Sequence, residues 1–329
     1  MKILVWIIGS AVALLAILLL AFRLSPWPSV LVIRRAFDKG AAEASQALEK
    51  HVPPGVAAVR NETYDAADPD GHLDVFVPAD VKDSDRALTT IVWIHGGAWI
   101  SGTKDQIANY AKILAGHGYT VVGVDYSVAP GKTYPTPVRQ VNGALGYLVK
   151  NAPRFHIDPA RFVLAGDSGG AHIAAQVANA ISVPSYASAL GISPTIQRSQ
   201  LRGVVLFCGP YDVRKVKLDG SFGGFLRTVL WSYSGTKDFM ANQQFATASV
   251  VNYVTPEFPP AFVSAGNADP LEPQSREFAD ALASQGVPVD TLFFPKDYAP
   301  PLAHEYQFNL DVTAGREALD RTLAFLSTR

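Results

Sequence analysis

The apolar positions divide the chain into a continuous head and a periodic body. Residues 3–22 carry no charge. About 20 such residues, at a rise of roughly 1.5 Å each, suffice to cross a bilayer core of about 30 Å as a helix. Residues 1–25 therefore read as an N-terminal membrane anchor. A cleaved signal peptide is the rival, because Lys2 supplies a short positive start. The length of the stretch and the lack of an A-x-A-like site at its end favour the anchor. Past Arg23, Trp27 stands between two prolines where an interfacial aromatic would lie, and residues 30–33, followed by Arg34 and Arg35, suit the headgroup region. The basic residues Arg23, Arg34, Arg35 and Lys39 favour a cytoplasmic body, whereas so short a leading flank is that of an export signal. The pattern leaves both faces of the membrane open.

Residues 40–50 read as a short helix and the breaker Val52-Pro53-Pro54-Gly55 as a linker, so that 26–55 forms a juxtamembrane helix and linker before a body at 56–329. In the body, short apolar runs occur at 73–77, 90–93, 120–124, 162–165, 204–207, 261–264 and 291–294. Helical periodicity separates most of them, over about 106–115, 137–151, 171–180, 274–285 and 314–326. Continuous apolar strands alternating with helices predict an α/β fold with a mostly parallel central sheet covered by helices on both faces. Two stretches break the rhythm, 182–200 and 211–257. The second is rich in Phe222, Phe225, Leu226, Leu230, Trp231 and Tyr233, and is expected to form a cap over the strand C-termini, where ligands bind in such sheets.

The composition fits this picture. With 48% hydrophobic and 17% charged residues in 329, there is material for one large core. A formal net charge of −1 with no basic stripe argues against a nucleic-acid partner. The single cysteine, Cys208, excludes an internal disulfide and a Cys-based zinc cluster, and its place at the end of an apolar run suits a buried structural thiol. The run Asp68-Pro69-Asp70-Gly71-His72-Leu73-Asp74 looks like a truncated calcium loop. It lacks the glutamate at the twelfth position, and an Asp-Gly turn before a strand explains it. No metal is expected. Oligomeric state is not legible.

The chemistry centres on Gly166-Asp167-Ser168-Gly169-Gly170, which follows the strand at 162–165 and leads into the helix from Ala171. A strand, a sharp turn and a helix are the context in which G-x-S-x-G exposes a nucleophilic hydroxyl. A serine is a poor nucleophile at neutral pH, so a histidine must take its proton and a carboxylate must orient that histidine. Asp269 stands on the loop after the strand at 261–264 and fits the acid, although Asp followed by Pro270 would also cap the next helix. Asp212, after Gly209-Pro210-Tyr211, is the rival acid. Of seven histidines, His304 alone lies between the last strand and the last helix, and is expected to be the base; His172, four residues past Ser168, reads as packing. Donors for a developing oxyanion are offered by His95-Gly96-Gly97-Ala98-Trp99 at the end of a strand: the N–H groups of Gly97 and Ala98, beside that of Gly169. Trp99, Tyr126 and Tyr211 are candidates for the substrate pocket.

Together, residues 95–99, Asp125-Tyr126-Ser127-Val128-Ala129-Pro130, 166–170, Asp269-Pro270-Leu271 and His304 resemble the hormone-sensitive-lipase-like and related bacterial feruloyl-esterase-like branch of the α/β-hydrolases. The resemblance runs from about residue 73 to the C-terminus. It implies an α/β-hydrolase fold, a Ser168, Asp269, His304 triad, a carboxylic-ester substrate and no cofactor. The chain departs from the pattern at Ala98, where a third glycine is common, and at Ser127-Val128, where an Arg-Leu pair often follows the tyrosine. The expectation is a carboxylesterase for small or medium acyl groups. An amidase or formamidase using the same triad, and an inactive binding module displayed at the membrane, are the alternatives.

Overall fold

In the computed structural model, which describes residues 2–220 and 222–329, eight strands form one sheet in the order β1-β2-β4-β3-β5-β6-β7-β8. These are β1 (Val56–Thr63), β2 (His72–Pro78), β3 (Leu88–Ile94), β4 (Thr120–Val124), β5 (Ile157–Asp167), β6 (Leu201–Phe207), β7 (Ala261–Ala265) and β8 (Val289–Phe293). From β4 to β8 every neighbouring pair is parallel; β1 and β2 add an antiparallel edge. All five residues of β4 are buried, as a strand covered on both faces must be. This is the α/β-hydrolase arrangement.

The helices are α1 (Lys2–Leu24), α2 (Trp27–Leu48), α3 (Ala108–Gly116), α4 (Thr136–Lys150), α5 (Gly169–Ser182), α6 (Pro184–Leu190), α7 (Gly223–Ser234), α8 (Gln243–Ala246), α9 (Glu272–Ser284) and α10 (Thr313–Leu326). Side chains alternate across each strand. Along β3, Val92 and Ile94 join a core with α4, α5 and α9, while Ile91 and Trp93 join a second core with α3 and α10. Each face of the sheet is thus sealed separately.

Two expectations are corrected. The predicted short helix at 40–50 is the second half of α2, a continuous helix of 22 residues. Nor does the segment at 30–33 lie free for the headgroups. Val30 is fully buried in the main core, although Leu31 and Val32 are 57% and 68% exposed. Arg34 donates to the carbonyls of Ile100 and Ala129, Ser101 Oγ donates to Asp38, and Asn109 donates to the carbonyl of Ser45. Helix α2 is therefore docked along its length on the catalytic body, while α1 stands clear of it with every side chain from Ile3 to Leu20 exposed. The aromatic insertion forms α7, α8 and a 3-10 turn at Val250–Tyr253. Helix α7 lies on α2 through Phe37 and Phe225, whose ring centroids are 5.8 Å apart.

Candidate active site

Strand β5 ends at Asp167 and α5 begins at Gly169, leaving Ser168 alone to make the turn, with φ 51° and ψ −123°. An L-residue adopts such a backbone only where the surroundings enforce it. Here the Ser168 N–H is held by the carbonyl of Phe207 on β6 at 2.8 Å. The flanking glycines are needed for space. A Cβ on Gly166 would lie 2.6 Å from the Gly170 carbonyl carbon, and one on Gly170 would overlap the carbonyl oxygens of Ile94 and His95.

The ends of later strands bring two partners to this serine. Asp269, on the loop between β7 and α9, accepts from His304 Nδ1 at 2.8 Å. That fixes the neutral tautomer, with the hydrogen on Nδ1 and the lone pair on Nε2. The Ser168 hydroxyl donates to that Nε2 at 2.9 Å. Asp269 also accepts from the Leu271 N–H at 2.7 Å, so it stabilises the start of α9 as well. Asp212 is engaged elsewhere: its Oδ1 accepts from Ser249 Oγ at 2.6 Å and from the Arg214 N–H at 3.0 Å. Burial opposes a charged His304 ring, whereas its hydrogen bond to the Asp269 carboxylate and the charge of Glu305 favour it, and its pKa is raised above the ordinary value. Cys208 is buried as expected, and burial pushes its thiol up to about 11. Cys208, Asp269 and His304 place metal-ligand atoms within 4.8 Å of one another, but the last two are the relay just described.

The loop after β3 approaches from the other side. Gly97, Ala98 and Trp99 have φ of 104°, 51° and 61°. The N–H groups of Ile100 and Ser101 both close on the Gly97 carbonyl, at 3.1 and 3.0 Å. The loop abuts the first residue of α5, for a Cβ on Gly169 would be 3.1 Å from the Trp99 nitrogen. The loop that carries Gly97, Ala98 and Trp99 thus lies against the first turn of α5, next to Ser168, where the helix dipole favours negative charge.

Of the three pocket candidates, Trp99 lies beside this turn, its ring stacked on Tyr233 of α7 at 4.7 Å. The other two pack within the fold. Tyr126 is buried beneath the loop, stacked on His95 at 4.3 Å, and donates its hydroxyl to the His95 carbonyl at 2.8 Å. Tyr211 is buried against Phe278, with centroids 4.1 Å apart. Sequence reasoning missed Trp93, whose indole N–H donates to Asp167 at 2.7 Å, and Glu305, whose carboxylate lies 3.7 Å from His304 Nε2. The only signal was adjacency: Asp167 precedes Ser168, and Glu305 follows His304.

The BD-FAE family model matches residues 73–282, more than half of the chain. The chain belongs to the BD-FAE family. In this member the match spans Ser168, Asp269 and the loop at 95–99, and stops before His304. Solved structures carry the likeness over nearly the whole BD-FAE chain. Esterase B from Lactobacillus rhamnosis shares 23% identity over 92% of this chain and 95% of its own, with a TM-score of 0.77; it has also been solved inhibited by a tributyrin phosphonate. A hyperthermophilic esterase from Pyrobaculum calidifontis shares 22% identity over 94% and 95%, with a TM-score of 0.71. A thermostable carboxylesterase from a metagenomic library shares 20% identity over 90% and 97%, with a TM-score of 0.68. At such identities the likeness establishes the fold.

Proposed function

We propose that this BD-FAE protein is a carboxylic ester hydrolase acting by two-step acyl transfer. Ser168 attacks the ester carbonyl, His304 takes the hydroxyl proton and returns it to the leaving alcohol, and Asp269 holds the imidazole and balances its charge. Water then repeats the sequence on the acyl-enzyme. Gly97, Ala98 and Gly169 supply backbone donors to the oxyanion, worth on the order of 3 kcal/mol each. The observation that carries this reading is the unbroken chain from Ser168 Oγ through the His304 ring to Asp269, with links of 2.9 and 2.8 Å. The esterase names of the similar structures agree with it.

Trp99 lies against Gly169 and is held by stacking on Tyr233, and an aromatic beside the nucleophile turn suits small or medium acyl groups. The span Ile3–Leu24, with a mean hydropathy of 2.9 and no part of it buried, is read as a bilayer anchor rather than a cleaved leader.

The test is a fluorophosphonate probe followed by a panel of esters of increasing chain length, run beside matched amides. Labelling is expected in the wild type and absent in Ser168→Ala. Labelling that survives the substitution removes Ser168 as nucleophile, and amide turnover without ester turnover replaces the esterase by an amidase. Membrane retention is checked by alkaline extraction of the full chain: release of a shortened protein would identify residues 1–25 as a leader.

A further inference from the structure

Two carboxyl groups meet behind the reacting atoms. Asp167 is 2% exposed, and its Oδ1 accepts from the Trp93 indole. Its Oδ2 and the Oε1 of Glu305 converge on the Cα of Gly96, where an added Cβ would touch both. Glu305 is held in the left-handed region at φ 60°, directly after His304, and the same Oε1 is 3.7 Å from His304 Nε2. Among the described residues, His304 is the one cationic-type partner of Glu305, and no Lys or Arg pairs with Asp167.

Two ionised carboxylates have only acceptors to offer each other, and in a buried site their repulsion is screened far less than in water. The stable arrangement keeps one proton between them, as in other carboxyl pairs that share a site. We propose that Asp167 and Glu305 share one proton, and that this singly charged pair positions His304 by fastening its loop to the nucleophile turn and to the end of β3. The proposal rests on the esterase reading for its kinetic consequences, but not for the shared proton itself.

The shared proton does not enter the reaction. The Ser168 proton still moves to His304 Nε2 and on to the leaving alcohol. What the pair adds is a fixed ring position and one negative charge on the Nε2 side of the imidazolium, opposite the charge that Asp269 supplies at Nδ1. Burial and then the Glu305 charge push the Asp167 carboxyl well above the usual carboxylate range, in keeping with a retained proton. The other titratable groups that sense the pair are the phenols of Tyr110 and Tyr126, the Cys208 thiol and His304. Burial raises both phenols and the thiol, so none of these three supplies a charge near neutrality. Loss of the shared proton at alkaline pH puts two charges in contact, and Glu305, about a third exposed, is the one free to swing away.

Two variants separate positioning from simple fastening. In Glu305→Gln the amide can donate to an ionised Asp167, which preserves the bridge and its single charge but leaves no proton to lose. In Glu305→Ala the bridge is gone. The wild type is expected to lose kcat/KM in a single alkaline ionisation that Glu305→Gln lacks. Glu305→Ala is expected to lose roughly ten- to a hundredfold in kcat with little change in KM, as for a misplaced catalytic group, and Glu305→Gln to recover most of that loss. An alkaline fall retained in Glu305→Gln, or Glu305→Ala with unaltered kinetics, overturns the proposal. Infrared difference spectra of wild type minus Glu305→Gln at about pH 8 give a readout that needs no turnover. A protonated-carboxyl band is expected, and its absence refutes the shared proton. A wild type that shows the band but hydrolyses no ester overturns the esterase reading instead.

Discussion

At the residue scale, His304 decides the pH behaviour. Only its neutral form can accept the Ser168 proton. Its pKa is raised, so activity is present above that pKa and is lost as pH falls through it. The acid limb of kcat/KM is therefore expected to have its midpoint above about 6.5, the ordinary imidazole value, and a pH series on a soluble ester checks it. Asp269→Asn keeps the shape of the acid but loses its charge and its control of the tautomer, so kcat should fall by roughly 10³- to 10⁴-fold. Single-turnover kinetics measure that loss, and a drop of less than about tenfold would point to Asp212 as a replacement acid. The hydrogen-bonded grouping of Ser168, His304 and Asp269 was legible in the chain because each stands just past a strand, in an order that the fold requires. Glu305 and Trp93 were illegible because their significance lies in what they touch across the sheet. The burial of Tyr126 and Tyr211 was not legible, because a buried aromatic and a pocket aromatic look alike in sequence.

At the element scale, the junction of β5 and α5 sets two principles against each other at Gly170. Helix propensity alone says that Gly170→Ala should stabilise α5 by about 1 kcal/mol. Contact says the opposite, because the new Cβ would overlap the carbonyl oxygens of Ile94 and His95 on the neighbouring strand end. Backbone on both sides cannot yield as a side chain can, so overpacking of about 1–3 kcal/mol should win. Thermal unfolding is expected to show a lower Tm for Gly170→Ala, together with reduced ester turnover as Ser168 is pushed from the loop at Gly97; a raised Tm would mean that the junction is looser than its distances. The same contrast explains which elements were legible. The central strands are apolar throughout and announced themselves. Strand β1 was missed because it is an edge: Arg60, Asn61 and Glu62 interrupt it, Asn61 sits at φ 55°, and its pairing register shifts between Val59 and Glu62. The first residues of β5 were missed because Asp158 and Pro159 read as a turn, yet Ile157 pairs with Leu88.

At the scale of the whole molecule, α2 packs on the body that follows the Pro53-Pro54 breaker, whereas α1 leaves its side chains from Ile3 to Leu20 exposed. That packing was not legible because exposed Leu31 and Val32 beside basic residues resemble an interfacial segment, while the inward face of α2 shows only when its partners are known. Val30 and Leu48 are buried in different cores, and Arg34 and Asp38 bind Ile100, Ser101 and Ala129 on the loops after β3 and β4. Removing α2 would take those two side chains, each worth about 1.5–3 kcal/mol when buried, out of the two cores and expose the apolar surface they cover, strip Phe225 of its ring partner, and leave the carbonyls of Ile100 and Ala129 without the Arg34 guanidinium. The cap would lose its support at the same time. A chain starting at Ser25 should therefore be monodisperse without detergent, hydrolyse soluble esters at a rate close to that of the full chain, and no longer sediment with membranes. A chain starting at Pro53 should aggregate, or melt at a markedly lower temperature. Size-exclusion chromatography and thermal unfolding of the two truncations distinguish these outcomes. If the shorter chain matched the longer one in Tm and turnover, α2 would be a tether resting on the enzyme, and the contacts of Arg34 would carry no share of its stability.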